Sequence, residues 1–106
     1  MRLFDLFKRN DINSGIEKFK TTENAVLLDV RTKEEFTQGH ITDAINLPLQ
    51  NISVINDIVS DKNTPVFVYC LSGGRSHLAS AELQSFGYNY VSDIGGINSY
   101  KGEIER

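Results

Sequence analysis

The 106-residue sequence predicts a three-layer α/β domain with a mostly parallel central sheet flanked by helices. Short apolar runs typical of buried strands alternate along the chain with stretches of helical periodicity. The most β-branched and aromatic run, residues 65–69, lies within that alternation and indicates a central strand. Strands separated by helices of this length imply right-handed crossovers and therefore parallel pairing.

Four runs are predicted to form the strands. Residues 25–30, AVLLDV, are a short continuous apolar run, which suits a strand buried on both faces. Residues 44–48, AINLP, form a second strand that Pro48 stops. The central strand is PVFVY at 65–69, and the last strand is YVSDI at 90–94.

The first two predicted helices carry amino-terminal signatures. Ser14 and Glu17 fit a capping box, and so do Thr32 and Glu35, with Gly39 placed to end the second helix. The apolar positions at helical spacing in the first helix are Ile12, Ile16 and Phe19.

Two later helices are predicted from apolar spacing alone. The first presents one face made of Ile52, Ile55, Ile58 and Val59. The second runs from Ser76 to Phe86, ends at Gly87, and presents Leu78, Ala79, Leu83 and Phe86 on one side.

Length and composition predict a single soluble domain over residues 1–106. The net charge of −3 and the absence of a Lys/Arg run argue against a nucleic-acid partner. The amino terminus, MRLFDLFKRN, is too short and too charged for a signal peptide or a membrane span, so we predict a cytoplasmic protein with no membrane partner. One cysteine excludes an internal disulfide, and we predict neither a metal site nor a cofactor.

That single cysteine, Cys70, stands where the central strand gives way to the loop CLSGGRS. Ligands of parallel sheets lie beyond the carboxyl ends of the strands. Gly73 and Gly74 permit positive φ, so successive amides can turn inward toward an anion, and the next helix adds its positive end. Arg75 adds a full charge. This field favours a thiolate, so Cys70 is predicted to be a nucleophile rather than a small buried apolar residue.

Three segments resemble the rhodanese domain, in order along the chain. They are residues 27–49, LLDVRTKEEFTQGHITDAINLPL; residues 68–76, VYCLSGGRS; and residues 95–100, GGINSY. The motif-bearing core is therefore 27–100. The resemblance implies a rhodanese-like fold and a sulfurtransferase in which Cys70 carries a persulfide. It implies thiosulfate among the donors, and cyanide or protein thiols as acceptors. Such domains often carry Trp where this chain has Tyr100, a difference that mainly concerns packing.

The predicted site has Cys70 as its catalytic residue. The predicted substrate-binding residues are Leu71, Ser72, Gly73, Gly74, Arg75, Ser76 and Arg31. Five or six converging amides would bind the anionic outer sulfur of a persulfide, and the Arg75 guanidinium would hold the oxyanion of a donor such as thiosulfate. With no second cysteine to discharge the persulfide, the acceptor is predicted to be an external thiol or protein.

Two other functions compete with this assignment. A phosphatase or arsenate reductase of the same fold has five residues between its nucleophilic cysteine and its arginine. Here four residues separate Cys70 from Arg75, which makes a smaller cradle. A non-catalytic binding or regulatory module is the other alternative, although loss of the cysteine would be its expected mark.

The remaining polar residues carry weaker predictions. Asp29 and Arg31, in the DVR segment, either line the site or form a structural ion pair with Glu34 or Glu35. Asp29 is assigned the structural role, and both alternatives stay open for Arg31. His40 is predicted to be a hydrogen-bonded loop residue, and His77 to face outward without a chemical role. Gly95-Gly96 is predicted to form a tight turn, and Ser72 either donates to the persulfide or faces solvent.

Overall fold

The computed structural model describes residues 11–106, and the amino-terminal segment MRLFDLFKRN discussed above lies outside the described residues. In chain order the elements are α1 (Ile12–Lys20), β1 (Val26–Asp29), α2 (Lys33–Gln38), β2 (His40–Ile41), β3 (Ile45–Asn46), a 3₁₀-helix (Leu49–Asp57), β4 (Val66–Cys70), α3 (Gly74–Ser85), β5 (Val91–Gly96), a short 3₁₀-helix (Ile97–Ser99) and β6 (Ile104–Glu105). Across this part of the chain, none of the helices combines the length and the apolar composition that crossing a bilayer requires.

The main sheet has four parallel strands in the order β3-β1-β4-β5, which confirms the predicted fold class. β4 lies inside the sheet, as predicted for the most β-branched run, and all five of its residues are buried. β2 and β6 pair antiparallel in a separate two-stranded sheet, which no sequence pattern indicated.

Side chains of β1 and β4 alternate between the two faces of the sheet, so each strand contributes side chains to both cores of the domain. The core on the side of α3 and the long 3₁₀-helix contains Leu28, Val30, Leu47, Ile52, Ile55, Val59, Val66, Val68, Cys70, Ala79, Leu83 and Tyr88. The core on the side of α1 contains Ile12, Ile16, Leu27, Ile41, Phe67, Tyr69 and Ile94. The sheet is therefore the middle of three layers.

The predicted capping box at Ser14 and Glu17 is wrong, because α1 begins earlier. Its N-cap is Asp11, whose carboxylate accepts from the Asn13 amide at 3.1 Å and from the Ser14 hydroxyl at 3.0 Å. A carboxylate one turn upstream meets the free amides of the helix start, so Ser14 lies inside the helix.

The second capping box is confirmed. The Thr32 hydroxyl accepts from the Glu35 amide at 3.1 Å, and the Glu35 carboxylate accepts from the Thr32 amide at 2.9 Å. Gly39 caps the other end of α2, as expected. The box also fixes where the Glu35 carboxylate stands.

The two later helices differ from the prediction in detail. The segment that begins at Leu49 is a 3₁₀-helix, and its three-residue repeat places Ile52 and Ile55 on one buried side. Ile58 lies just past the last helical residue, at the C-cap, and is exposed. α3 begins two residues before the predicted start. Its buried residues are Ser76, Ala79, Ser80 and Leu83, whereas Leu78 is 57% exposed and Phe86 is 39% exposed. Small side chains on the sheet-facing side let the start of α3 approach β4 closely.

We predict that Gly15→Ala destabilises the protein, although alanine favours an isolated helix by about 1 kcal/mol. A Cβ atom at Gly15 would lie 2.5 Å from the Ile94 Cβ atom, so α1 would have to move off β5. The expected loss is about 1–3 kcal/mol of unfolding free energy, measured by urea denaturation. Glu17→Ala, on the exposed side of α1, is the control and should change stability by less than about 0.5 kcal/mol. A Gly15→Ala protein as stable as the unaltered one would contradict the close packing.

Candidate active site

Cys70 ends the central strand, and its side chain points into the core on the α3 side. The residue is 1% exposed, and it pairs in the sheet with Gly96 of β5. The carboxyl end of an internal parallel strand is where such sheets present reactive groups. The structure therefore places the only cysteine at the predicted edge of the sheet.

Two backbone amides donate to the Cys70 Sγ atom. The Gly73 amide lies 3.0 Å from Sγ, and the Ser76 amide lies 3.3 Å from it. Gly73 is the N-cap of α3 and has φ = +112°, which a residue with a Cβ atom adopts only under strain. Both amides belong to the start of a twelve-residue helix, whose dipole adds positive potential at the same place. The sequence predicts that five or six amides bind the outer sulfur of a persulfide, and that remains a prediction.

Asp93 is a site residue that the sequence did not indicate. Its Oδ1 atom accepts from the Ser76 hydroxyl at 2.7 Å and from the Gly95 amide at 3.1 Å. The Ser76 hydroxyl is also 3.0 Å from the Gly73 carbonyl oxygen. Asp93 thus holds Ser76, whose amide donates to Sγ and whose side chain is buried in α3. Seventeen residues of sequence separate the two, so only the fold brings them together.

The loop from Leu71 to Gly73 is held against the end of β5. The Asn98 amide donates to the Leu71 carbonyl oxygen at 3.1 Å. A Cβ atom at Gly96 would lie 2.6 Å from the Ser72 Cα atom, so only glycine allows this approach. Leu71 and Ser72 have exposed side chains. Ser72 faces solvent, which was one of its two predicted alternatives. Its donation to a persulfide remains a prediction.

Gly95-Gly96 is not the predicted tight turn. Both residues belong to β5, where they pair with Tyr69 and Cys70 across a register shift between Val68 and Tyr69. Gly95 has φ = +98°, which accommodates the irregularity. The chain turns only afterwards, in the short 3₁₀-helix.

Arg75 follows the loop and makes a two-pronged ion pair with Glu35 of α2. Its Nη1 atom is 2.7 Å from Oε1, and its Nη2 atom is 3.0 Å from Oε2. The bonds from the Arg75 guanidinium lower the pKa of Glu35 from 4.5 to about 2. The guanidinium that was predicted to hold an anionic donor is therefore already bound to a carboxylate of the same chain. Its role toward a donor stays a prediction.

Arg31 pairs with Asp29, which corrects the expected partners Glu34 and Glu35. The guanidinium donates to both carboxylate oxygens of Asp29, at 2.7–3.1 Å, and to the Gly39 carbonyl oxygen at 2.7 Å. Both side chains are buried. These are the contacts of a structural pair, as predicted for Asp29. A substrate-binding role of Arg31 stays a prediction.

His77 faces outward as expected, and His40 is hydrogen-bonded as expected but begins strand β2 rather than lying in a loop. The His40 Nδ1 atom is 2.9 Å from the Phe36 carbonyl oxygen, so the ring is hydrogen-bonded beside α2. The His77 side chain is 80% exposed, with Nδ1 4.0 Å from Asp93 Oδ2. Among residues 11–106, no three His, Cys, Asp or Glu side chains gather as a metal ion would need.

A family model described as the rhodanese-like domain matches residues 13–103. The chain belongs to the rhodanese-like family. A rhodanese structure from Escherichia coli, solved with anions, superposes on it with a TM-score of 0.73 at 35% identity, covering 77% of this chain and 98% of that one. The predicted family is thereby confirmed.

Relatives of this rhodanese-like chain include proteins named as sulfurtransferases. Sulfurtransferase of Allochromatium vinosum is 39% identical over 89 residues, covering 82% of this chain and 81% of that protein. Thiosulfate sulfurtransferase PspE of Escherichia coli is 41% identical over 71 residues, covering 66% and 68%. Adenylyltransferase and sulfurtransferase uba4 of Ogataea parapolymorpha is 32% identical over 96 residues, which are 90% of this chain. The chain spans only a quarter, 25%, of that relative. These names support sulfurtransferase activity in general.

We predict that the Glu35–Arg75 pair makes stability depend on pH in the acid range. A carboxylate whose pKa is lower in the folded state stabilises that state above its unfolded pKa. The contribution is present above pH 4.5 and is lost as the pH falls toward about 2. The side chains are 27% and 34% exposed, so solvent screening reduces it to on the order of 1 kcal/mol.

The test is urea denaturation of the unaltered protein and of Glu35→Gln between pH 6 and pH 2.5. Glutamine keeps the oxygen of the capping box and removes the charge. The two proteins should differ at pH 6 and converge toward pH 2.5. Glu34→Gln, next to it on α2, is the matched control and should follow the unaltered protein. A constant difference at all pH values would show that charge is not the cause.

Proposed function

We propose that this rhodanese-like chain is a sulfurtransferase that carries sulfane sulfur as a persulfide on Cys70. One observation carries the proposal: two amides at the start of α3 donate to the sulfur of the only cysteine. N–H donors that face a sulfur at this position stabilise its anionic form, which is the nucleophilic form. The names of the relatives support the same reaction class.

The proposed reaction has two displacements. In the first, the Cys70 thiolate attacks the outer sulfur of thiosulfate or of a protein persulfide. The sulfur–sulfur bond of the donor breaks, and the leaving group, sulfite or a thiolate, departs with the electron pair. In the second, cyanide or an external thiolate attacks the outer sulfur of the Cys70 persulfide, and the Cys70 thiolate leaves. Both steps are proposed with an anionic attacking group, so neither assigns a general base to this chain. The kinetics are therefore ping-pong.

The loop amides suit the intermediate as well as the free thiolate. A persulfide adds one anionic sulfur beyond Sγ, and the remaining amides of residues 71–75 are the groups nearest along the chain to bind it. The network that ends at Asp93 holds this backbone in place before the sulfur arrives. Preorganised donors of this kind stabilise developing charge without rearrangement.

We predict that Cys70→Ser abolishes sulfur transfer and leaves the fold intact, since a serine hydroxyl is not ionised at neutral pH. After incubation with thiosulfate, intact mass spectrometry should show one added sulfur atom on the unaltered protein, which a reducing thiol removes. The variant should gain none and should not turn over thiosulfate and cyanide. Circular dichroism is the control for folding. Undiminished turnover in Cys70→Ser would refute Cys70 as the sulfur carrier, whereas an unaltered protein that neither gains sulfur nor turns over would favour the binding module.

A further prediction separates the two roles of Arg75. If the guanidinium binds the donor, Arg75→Ala should lower kcat/KM for thiosulfate about ten- to a hundredfold, the loss of a charge-assisted contact. Discharge of a preformed persulfide should change less than about twofold. Arg75→Lys should restore part of the donor kinetics, because an ammonium lacks the planar fork.

Glu35→Gln supplies the matched comparison, because it frees the guanidinium from its carboxylate without removing it. This variant should use thiosulfate at least as well as the unaltered protein. A fall in kcat/KM of the same size in Glu35→Gln and Arg75→Ala would mean that the ion pair itself, by holding the loop, is what matters. Donor binding by Arg75 would then be wrong.

A further inference from the structure

A cavity of about 630 Å³ opens beside the Cys70 loop, on the β5 side. It is lined by Asp11, Ile12, Ser72, Gly73, His77, Asp93, Gly95, Gly96, Asn98 and Ser99. Ser72 and Gly73 belong to the loop itself, and the Gly73 amide donates to Sγ. A molecule in this cavity would therefore lie against the backbone that holds the reactive sulfur. Its volume is in the range of small-molecule sites.

The acidic and basic side chains that line the cavity are two carboxylates and one exposed imidazole. Asp11 enters from the start of α1, Asp93 from β5, and His77 from α3. Among residues 11–106, no lysine or arginine lines the cavity. Hydrogen bonds from the Ser14 hydroxyl and the Asn13 amide hold the pKa of Asp11 below its usual 3.8, so this carboxylate is charged at neutral pH.

The Asp93 carboxylate is only partly used by its neighbours. Oδ1 accepts from Ser76 and Gly95, whereas the one partner of Oδ2 within the described part of the chain is the His77 ring, 4.0 Å away. Elsewhere around the loop the cations are balanced, because Arg75 is bound by Glu35 and Arg31 by Asp29. The lining therefore carries an excess of negative charge, and a concave surface strengthens the field inside it.

We propose that this cavity is the acceptor subsite and that it takes a small thiol bearing an ammonium group. The inference rests on the proposed function, since it names the acceptor class for that site. The cation of such an aminothiol would face the two carboxylates while its sulfur approaches the loop. A thiol bearing a carboxylate would be repelled from the same place. The cavity thus selects the second substrate by charge.

The step transfers one sulfur atom and changes no net oxidation state. The aminothiol loses its proton to solvent, and its thiolate attacks the outer sulfur of the Cys70 persulfide. A sulfur–sulfur bond forms to the acceptor, and the bond between the outer sulfur and Sγ breaks. The electron pair stays on Sγ, so the products are an aminothiol persulfide and the Cys70 thiolate.

The test measures discharge of a persulfide that has been formed beforehand. The protein is loaded with a small organic persulfide, desalted and checked by intact mass for one added sulfur. Three thiols are then compared: 2-aminoethanethiol, 2-mercaptoethanol and 3-mercaptopropionate. The rate constant for loss of the added mass should be highest for the ammonium thiol and lowest for the carboxylate thiol. The preference should shrink as NaCl is raised from about 0.02 M to about 0.5 M, because salt screens exposed charges.

The three thiols also differ in intrinsic reactivity, so each variant is compared with the unaltered protein. Intrinsic reactivity cancels when the preference of a variant is divided by the preference of the unaltered protein. Asp11→Asn keeps a good N-cap for α1 and removes one charge. It should lower the preference for 2-aminoethanethiol over 3-mercaptopropionate by about two- to fivefold. Asn98→Lys, which keeps the backbone bond to Leu71, should lower it further by adding a cation. Asp57→Asn is exposed and outside the cavity, so it should leave the preference unchanged.

Each failure has its own signature. A protein that gains no sulfur on loading refutes the proposed function. If the protein loads and neither Asp11→Asn nor Asn98→Lys alters the charge preference of the unaltered protein, the acceptor subsite is refuted while the proposed function stands. An equal change in all three variants would assign the effect to net charge and would also overturn the subsite. Thermal melting checks that Asp11→Asn folds, and Asn98→Lys decides the matter if it does not.

Discussion

The bonds from two amides to the Cys70 Sγ atom tie the end of the central strand to the beginning of α3. The rest of the site depends on this junction. A strand that ends inside the core would ordinarily bury a thiol with no polar partner, and a helix would ordinarily begin with free amides. Here each supplies what the other lacks. Gly73 makes the junction possible because its backbone adopts φ = +112°.

Two ion pairs join the elements next to that junction. Asp29 and Arg31 pair beneath the loop region, and Glu35 and Arg75 pair between α2 and α3. A buried ion pair costs desolvation energy and is kept where it fixes one arrangement of neighbouring elements. The first pair joins β1 to Gly39 after α2, and the second joins α2 to the first turn of α3. The reactive sulfur is thus bordered by a rigid frame whose cations are already occupied.

The features that the sequence predicted well depend on residues that are close together in the chain. Thr32 and Glu35 bond across three residues, so their spacing alone indicates the cap, and the position of Cys70 follows from the strand that precedes it. What it missed requires the fold. The partners of Arg75 and Ser76 lie 40 and 17 residues away, and nothing near either residue indicates them. Asp11 and Ser14 are both good N-cap residues, and the sequence alone does not show at which of them the helix begins. Packing of α1 in the core decides it. Leu78 is apolar yet exposed, because the small residues of α3 face the sheet instead.

The glycines of the site meet two different constraints. At Gly96 the limit is space, since Ser72 occupies the volume that a Cβ atom would need. At Gly73 there is no atom within 4 Å of an added Cβ, and only the sign of φ excludes other residues. The constraint there is one of chirality. A D-amino acid, whose preferred φ is positive, would fit the junction that its L-enantiomer strains. The sulfur-binding loop could therefore be stiffened by chemical synthesis at a position where the genetic code offers only glycine.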